Sequence, residues 1–250
     1  MSYLMFDFEH GHQSIGSKDK VKELFGLPLL TPQTWSEFQN TIAQIYTSTI
    51  VEEDVKLGDL VIKEKRSTIV PKNGLLLDGM ILDTFSELQK KFQRTLLDKK
   101  GKMMLSQWGI LKNKIDTCLE FITRIPGTVI CTCHSKSSTG DDGVTTITPL
   151  IDGSSKEDIS KWFDFVFYTR VTADKNTNKR QYLWVTANSE KYFHAKDRTG
   201  ILPEEIPQDY QIVISAAKEA NFSGCKILII GAPGSGKTKS LETLGGENND

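Results

Sequence analysis

The chain has 250 residues, 38% of them hydrophobic and 25% charged, which suits one large globular domain and excludes a disordered or fibrous chain. The net charge is −1, so the molecule as a whole is not a basic body built for nucleic acid, and any such contact must come from local loops. No apolar run approaches a membrane span, no basic n-region opens the chain, and the four cysteines are scattered, so a cytoplasmic setting without a membrane partner is expected.

Tyr3 to Glu9, YLMFDFE, is a short apolar run closing on carboxylates. It predicts a buried parallel strand whose C-terminal end carries Asp7 and Glu9, where open α/β sheets collect their chemistry; solvated acids after a strand fit the same run. His10 and His12 follow at metal-like spacing, but without companion ligands they are not read as a metal site. Thr34 with Glu37 forms a capping box, and Phe38, Ile42 and Ile45 then recur at helical spacing. The alternation in DLVIKEKRSTIV predicts a hairpin or edge insertion within Val55 to Val70.

Leu75 to Thr84, LLLDGMILDT, is a strand ending on an aspartate that can hold Mg²⁺. Asp78 competes with Asp83 for that place; Asp83 is preferred because Gly79 breaks the run after Asp78. A helix follows on Phe85, Leu88, Phe92 and Leu96. A longer one spans Trp108 to Ile125, with Trp108, Leu111, Ile115, Leu119 and Ile122 as its core stripe. Gly127 to Cys133 is a β-branched strand in which Cys131 and Cys133 act as small hydrophobes. His134 ends it, placed to sense a γ-phosphate or to be held by backbone in the next loop. Ser135 to Gly153 is polar and Gly/Ser/Thr-rich, which predicts a mobile or ligand-contacting loop.

Ser154 or Ser155 opens a short helix ending near Trp162. Phe163 to Val171 and Gln181 to Thr186 read as strands paired across the turn DKNTNK. In AKDRTG, Lys196 and Arg198 point the same way if extended, either toward an anion or as a solvated basic loop. Tyr210 to Ala220 is a helix, ended by Asn221 to Gly224.

Lys226 to Ile230 is an apolar strand, and Gly231-Ala232-Pro233-Gly234-Ser235-Gly236-Lys237-Thr238 then fits G-x-x-x-x-G-K-[ST], with Lys239 next and a helical run after it. Glycines let backbone N–H groups converge on a phosphate, and the helix N-terminus adds positive partial charge. Lys237 reaches the β- and γ-phosphates and the Thr238 hydroxyl ligates Mg²⁺, so ATP and Mg²⁺ are the expected ligands. The tail Gly245 to Asp250 is glycine-rich and polar, and is expected to be flexible or a closing turn.

With these residues in view the chain resembles the RecA-like ATPases, and among them the phage-encoded Sak-type single-strand annealing and recombination ATPases. The P-loop matches at Gly231 to Thr238, FDFEHG is similar to the strand that ends in the catalytic glutamate (here Glu9), and MILDT looks like the Walker B strand (here Asp83). His134 lies where the family places its polar sensor, Ser135 to Gly153 where it places a DNA-binding loop, and AKDRTG resembles the segment that reaches a neighbour's ATP. The likeness covers most of residues 1–15, 75–206 and 225–244. It implies an α/β fold with a mostly parallel central sheet flanked by helices, and a single ATPase domain over residues 1–250. It also implies single-stranded DNA as partner, self-association into a ring or filament with ATP at subunit interfaces, and the host cytoplasm if phage-encoded.

The order of parts departs from that family. There the P-loop strand comes first; here the glutamate strand opens the chain and the P-loop strand nearly closes it. The sequence therefore looks circularly permuted, with residues 207–224 as the joining segment, and Met1 and Asp250 are expected to lie close, near the end of the P-loop helix. A DNA-stimulated ATPase, a ring helicase or other motor, and a nucleotide-gated module that binds protein all remain compatible with these residues. The absence of an aromatic from Ser135 to Gly153 leaves Lys136, hydroxyls and backbone amides to make any DNA contact.

Overall fold

The computed structural model describes residues 2–58, 60–153, 155–174 and 178–245. The expected meeting of Met1 and Asp250, the tail beyond Gly245 and the tip of the DKNTNK turn lie outside the described residues.

The chain opens with β1 (Tyr3–Asp7), fully buried. α1 (Lys18–Phe25), which the sequence reading passes over, is capped by Ser17 and stopped by Gly26 at φ 73°, a conformation glycine adopts without a Cβ clash. α2 (Trp35–Ile45) starts at Thr34, whose Oγ1 accepts the Glu37 N–H at 3.1 Å. Glu37 reaches back one residue further than a capping box requires, to the Gln33 N–H at 2.7 Å. The chain runs straight on into a two-stranded ribbon, β2 (Tyr46–Leu57) and β3 (Leu60–Pro71), paired along its whole length. The expected hairpin is thus real and longer at its first strand.

β4 (Gly79–Asp83) leads into α3 (Phe85–Arg94), capped by Thr84, and then α4 (Leu105–Arg124). β5 (Thr128–Thr139) runs past His134 and turns back as β6 (Thr145–Pro149), so most of the stretch read as a loop is a hairpin. α5 (Ser155–Asp158) continues as a 3₁₀ turn to Trp162. β7 (Phe165–Ala173) pairs with β8 (Arg180–Val185), and two short strands follow, β9 (Lys196–Asp197) and β10 (Glu205–Pro207). α6 (Tyr210–Glu219) is capped by Asp209, and β11 (Lys226–Gly231) delivers the glycine-rich turn. The helix expected after that turn is a 3₁₀ segment, Lys239–Gly245.

The main path of the sheet runs β1-β4-β5-β11-β7-β8-β10. The five strands from β1 to β7 are parallel, and β8 and β10 add antiparallel edges. β11, last in the chain, sits at the centre between β5 and β7. Its central position follows from Ile227 to Ile230 being buried on both faces, as a strand covered by helices on each side must be. Alternate residues feed two cores. Phe6, Leu82, Cys131 and Leu228 face α2, α3 and α4; Met5, Ile81, Ile130 and Ile229 face α1, α6 and the final turn. The α4 stripe is buried at Leu111, Ile115, Leu119 and Ile122, but Trp108 is 38% exposed, and Leu105 and Ile110 in the same first turns are exposed too. Among the described residues no helix is long and apolar enough to cross a membrane.

Candidate functional site

A parallel sheet brings the C-terminal ends of its strands to one edge, and here that edge carries Asp7, Asp83, His134 and Gly231. Residues remote in sequence meet there because β11 lies between β5 and β7.

Gly231, Gly234 and Gly236 shape the turn. A Cβ on Gly231 would fall 1.8 Å from Thr169 Oγ1, and Gly234 and Gly236 hold φ of 73° and 92°. Ser235 Oγ accepts from Thr169 Oγ1 at 2.8 Å and donates to the Ala232 carbonyl, which pins the turn to β7. Lys237 is 5% exposed, and its ammonium donates to the carbonyls of Gly231 and Ala232 at 3.0 Å each. Burial lowers its pKa, while Asp83 and Glu9 act to raise it. A desolvated ammonium held only by backbone carbonyls is a strong positive charge and hydrogen-bond donor for phosphate oxygens.

Thr238 Oγ1 donates to Asp83 Oδ2 at 2.8 Å across 155 residues of sequence. The other Asp83 oxygen accepts from the Thr132 hydroxyl. Burial lifts the Asp83 carboxyl from its ordinary 3.8 to about 6; the hydroxyls of Thr132 and Thr238 pull the other way, and Asp7 and Glu9 push it up. A buried carboxylate beside a hydroxyl is a hard oxygen donor set that fits Mg²⁺. Gly11 leaves the room such an ion needs: a Cβ there would lie 2.7 Å from Asp83 Oδ2 and 3.1 Å from Thr238 Oγ1. The rival aspartate, Asp78, sits at the opposite end of β4, where its carboxylate accepts the Ser2 N–H.

Glu9 and His134 face one another, Oε2 to Nε2, at 2.8 Å. Glu9 is placed by Asp7, 1% exposed, whose carboxylate accepts the N–H groups of Glu9, Gly11 and His12 at 3.0, 3.1 and 3.0 Å. The His12 ring bonds the same carboxylate, so His12 is a buried support rather than a metal ligand. His134 is held by its backbone N–H, which donates to Ser86 Oγ at 3.0 Å, and its ring Nδ1 is buried with no hydrogen-bond partner among the described residues. Glu87 joins Glu9 and His134 in one cluster of potential ligand atoms.

These groups surround a cavity of about 1110 Å³. Pro233, Gly234, Gly236, Lys237, Thr238 and Lys239 line one wall, Glu9, Gly11 and His134 another, and Tyr182, Gln208 and Asp209 the far end. Lys196 and Arg198 are elsewhere. β9 pairs with Phe165 and Val166 at the start of β7, away from the strand ends that form the cavity. Lys196 donates to the carbonyls of Ser160 and Phe163, and Arg198 pairs with Asp164 Oδ1 at 2.8 Å.

Sequence reasoning misses Asp7 as an anchor, Gly11 as cleared space, Thr132 as a partner of Asp83, and the Tyr182 and Gln208 end of the cavity. Thr132 alone leaves a signal, a polar residue inside the apolar run VICTC.

Residues 2–199 match the family model described as an AAA domain. Neither the curated proteins nor the solved structures gave a match.

Proposed function

The chain belongs to the AAA domain family, and on that footing we propose that it binds ATP with Mg²⁺ in the cleft at Gly231–Lys239 and hydrolyses it, as a RecA-like enzyme of the Sak type. The observation that carries this reading is the Thr238–Asp83 contact at 2.8 Å, which sets a buried carboxylate directly behind the Thr238 that lines one cavity with Lys237, Glu9 and His134. The turn from Gly231 to Lys239 surrounds the phosphates and Lys237 leaves its carbonyls for them. Thr238 and Asp83 hold the cation, which when bound neutralises charge building on the phosphate oxygens. Glu9 takes the proton of the attacking water. His134 restrains Glu9 until a γ-phosphate competes for the imidazole, so the Glu9–His134 bond links phosphate occupancy to the β5–β6 hairpin beyond His134.

A circularly permuted order is supported by two observations: β11 sits in the centre of the sheet although it comes last, and the stretch matching the family stops at residue 199, short of the P-loop. Residues 207–224 then join the two parts. Lys196 and Arg198 reach a nucleotide only from a neighbouring copy, since their own cleft lies at the other end of the strands.

Single-stranded DNA as the effector rests on the resemblance, with Lys136 as the cation on the hairpin. The hairpin tip carries Asp141 and Asp142, both exposed, which repel phosphates and favour a second reading, a nucleotide-gated module that contacts protein. Turnover of ATP and Mg²⁺, measured with and without single-stranded DNA and with Lys237→Ala as control, decides. DNA-raised turnover supports the first reading, equal turnover supports the second, and no turnover in either condition refutes the ATPase.

A further inference from the structure

A second constellation of cation ligands stands apart from Thr238 and Asp83. Glu9, Glu87 and His134 come from three elements: the loop after β1, the first turn of α3, and β5. One ligand atom from each lies within 4.8 Å of the other two. Each residue is anchored from behind. Asp7 accepts the Glu9 N–H at 3.0 Å, Ser86 Oγ accepts the His134 N–H at 3.0 Å, and Thr84 Oγ1 accepts the Glu87 N–H at 3.4 Å. Lys90 occupies Glu87 Oε1 at 2.6 Å and leaves the second carboxylate oxygen for a ligand.

Two carboxylates this close repel one another, and the acids behind them add to the negative field: Asp7 and Glu9 both help to push the Asp83 carboxyl up. The cations that face the cluster are Lys90 from α3 and Lys237, which feels Glu9 from the P-loop. The ligand types decide which ion fits. One imidazole and two carboxylates suit Zn²⁺, Co²⁺ or Mn²⁺, whereas Thr238 and Asp83 offer only the oxygens that Mg²⁺ takes. Ligands about 2 Å from a tetrahedral ion stand about 3.3 Å apart, so the Glu9–His134 pair at 2.8 Å opens by about half an ångström. The fourth position faces the cavity that Glu9 and His134 line. An imidazole bound through Nε2 carries its proton on Nδ1, where a partner tightens metal binding about 10- to 100-fold. His134 Nδ1 is buried without one among the described residues, which makes the site loose and exchangeable, as a regulatory ion requires.

We propose that Glu9, Glu87 and His134 hold a transition-metal ion of the Zn²⁺ class, and that this ion switches hydrolysis off. The switch rests on the proposed role of Glu9. A carboxylate whose lone pair is given to a metal cannot take the proton of the attacking water, while nucleotide still binds on the P-loop wall.

The full chain, stripped of metal with EDTA and then of EDTA, is titrated with ZnCl₂ in the absence of nucleotide. One ion per chain is expected at this site. Glu87→Gln is expected to weaken it more than about tenfold with unchanged melting. Glu87→Asp, which keeps the charge but shortens the reach, should lose the ion as well. Co²⁺ in place of Zn²⁺ should give the visible absorption of a near-tetrahedral site, absent from both variants. With ATP and excess Mg²⁺, Zn²⁺ should stop wild-type turnover while a fluorescent ATP analogue stays bound, and its removal should restore the rate. Glu87→Gln should turn over like untreated wild type and need more than about ten times as much Zn²⁺ for the same inhibition. Equal inhibition of the variant overturns the proposal, because the ion then sits elsewhere, at Thr238 and Asp83 or on the nucleotide. Zn²⁺ that expels the nucleotide overturns it too. A chain that binds Zn²⁺ through Glu87 but hydrolyses no ATP refutes the ATPase and keeps the site. A chain that hydrolyses ATP and binds no Zn²⁺ refutes the site and keeps the ATPase.

Discussion

The two walls of the cleft are held in different ways. The P-loop wall has an exposed tip at Ala232 to Gly234, but its polar side chains are tied down: buried Lys237 to its own carbonyls, buried Ser235 to Thr169, Thr238 to Asp83. The facing wall is half open, and its two chemical groups, Glu9 in the loop after β1 and His134 within β5, are joined by one hydrogen bond across 125 residues of sequence. Groups that grip phosphate work best when the fold has already stripped them of water, since their field is then strong before the ligand arrives. Groups that must trade a proton or sense a product gain from freedom to move. The contrast predicts that binding is lost by changes on the first wall and turnover alone by changes on the second.

Lys237→Ala breaks the contrast most severely. It removes the desolvated cation, so nucleotide affinity and turnover fall together, with kcat/KM down about 10³-fold. Titration with a fluorescent ATP analogue beside a steady-state assay checks this, and retained affinity would contradict the role given to the first wall. Glu9→Gln comes next. It keeps the shape and the bond to His134 but cannot take a proton, so kcat falls about 10²- to 10³-fold with nucleotide affinity unchanged. A parallel loss of affinity would show that the walls do not divide the work. Gly11→Ala sharpens the border between them. Its backbone needs no glycine conformation, so the only new thing is a methyl 2.7 Å from Asp83 Oδ2, expected to weaken Mg²⁺-dependent binding about tenfold while Mg²⁺-independent binding stays the same.

The difference between the walls also explains what could be read without coordinates. The P-loop is a local device, and its spacing of Gly231, Gly236, Lys237 and Thr238 was legible because the chemistry lies in contiguous backbone. β1, β4 and β5 were legible as short apolar runs, and Asp83 was separable from Asp78 because Gly79 marks the start of the strand, not its end. What escaped was non-local. Asp7 looked like a second candidate carboxylate, and only the folded loop turns it into an anchor for three N–H groups. Ser135 to Gly153 looked like a loop because its polarity is that of a hairpin with few buried residues. Lys196 and Arg198 read as free cations, since nothing in AKDRTG shows that the carbonyls of Ser160 and Phe163 and the Asp164 carboxylate meet them. The missing α-helix after the P-loop has a local sequence suited to a helix, and the structure gives it only 3₁₀ turns.

The smallest expected effect is on stability, and it tests the first wall from the inside. Burial lifts the Asp83 carboxyl from 3.8 to about 6, so the folded chain prefers it protonated. A group raised on folding contributes stability that is complete below its unfolded pKa and is lost as pH rises through its folded one. In EDTA, wild-type stability should therefore decline from pH 4 to pH 7 by up to about 3 kcal/mol, the equivalent of some two pKa units. Asp83→Asn keeps the volume: its amide oxygen still accepts from one of the Thr132 and Thr238 hydroxyls, and the other hydroxyl turns to accept from its N–H. At pH 7.5 in EDTA the variant should melt several degrees above the wild type, and at pH 4 the gap should close. Adding Mg²⁺ with ATP should reverse the order, because only the carboxylate gains a cation in exchange for its cost of burial. A wild type whose melting is flat from pH 4 to pH 7.5, or a variant that melts lower at every pH, would show that the first wall carries no stored electrostatic strain, and the division between a poised grip and a mobile catalytic wall would fall with it.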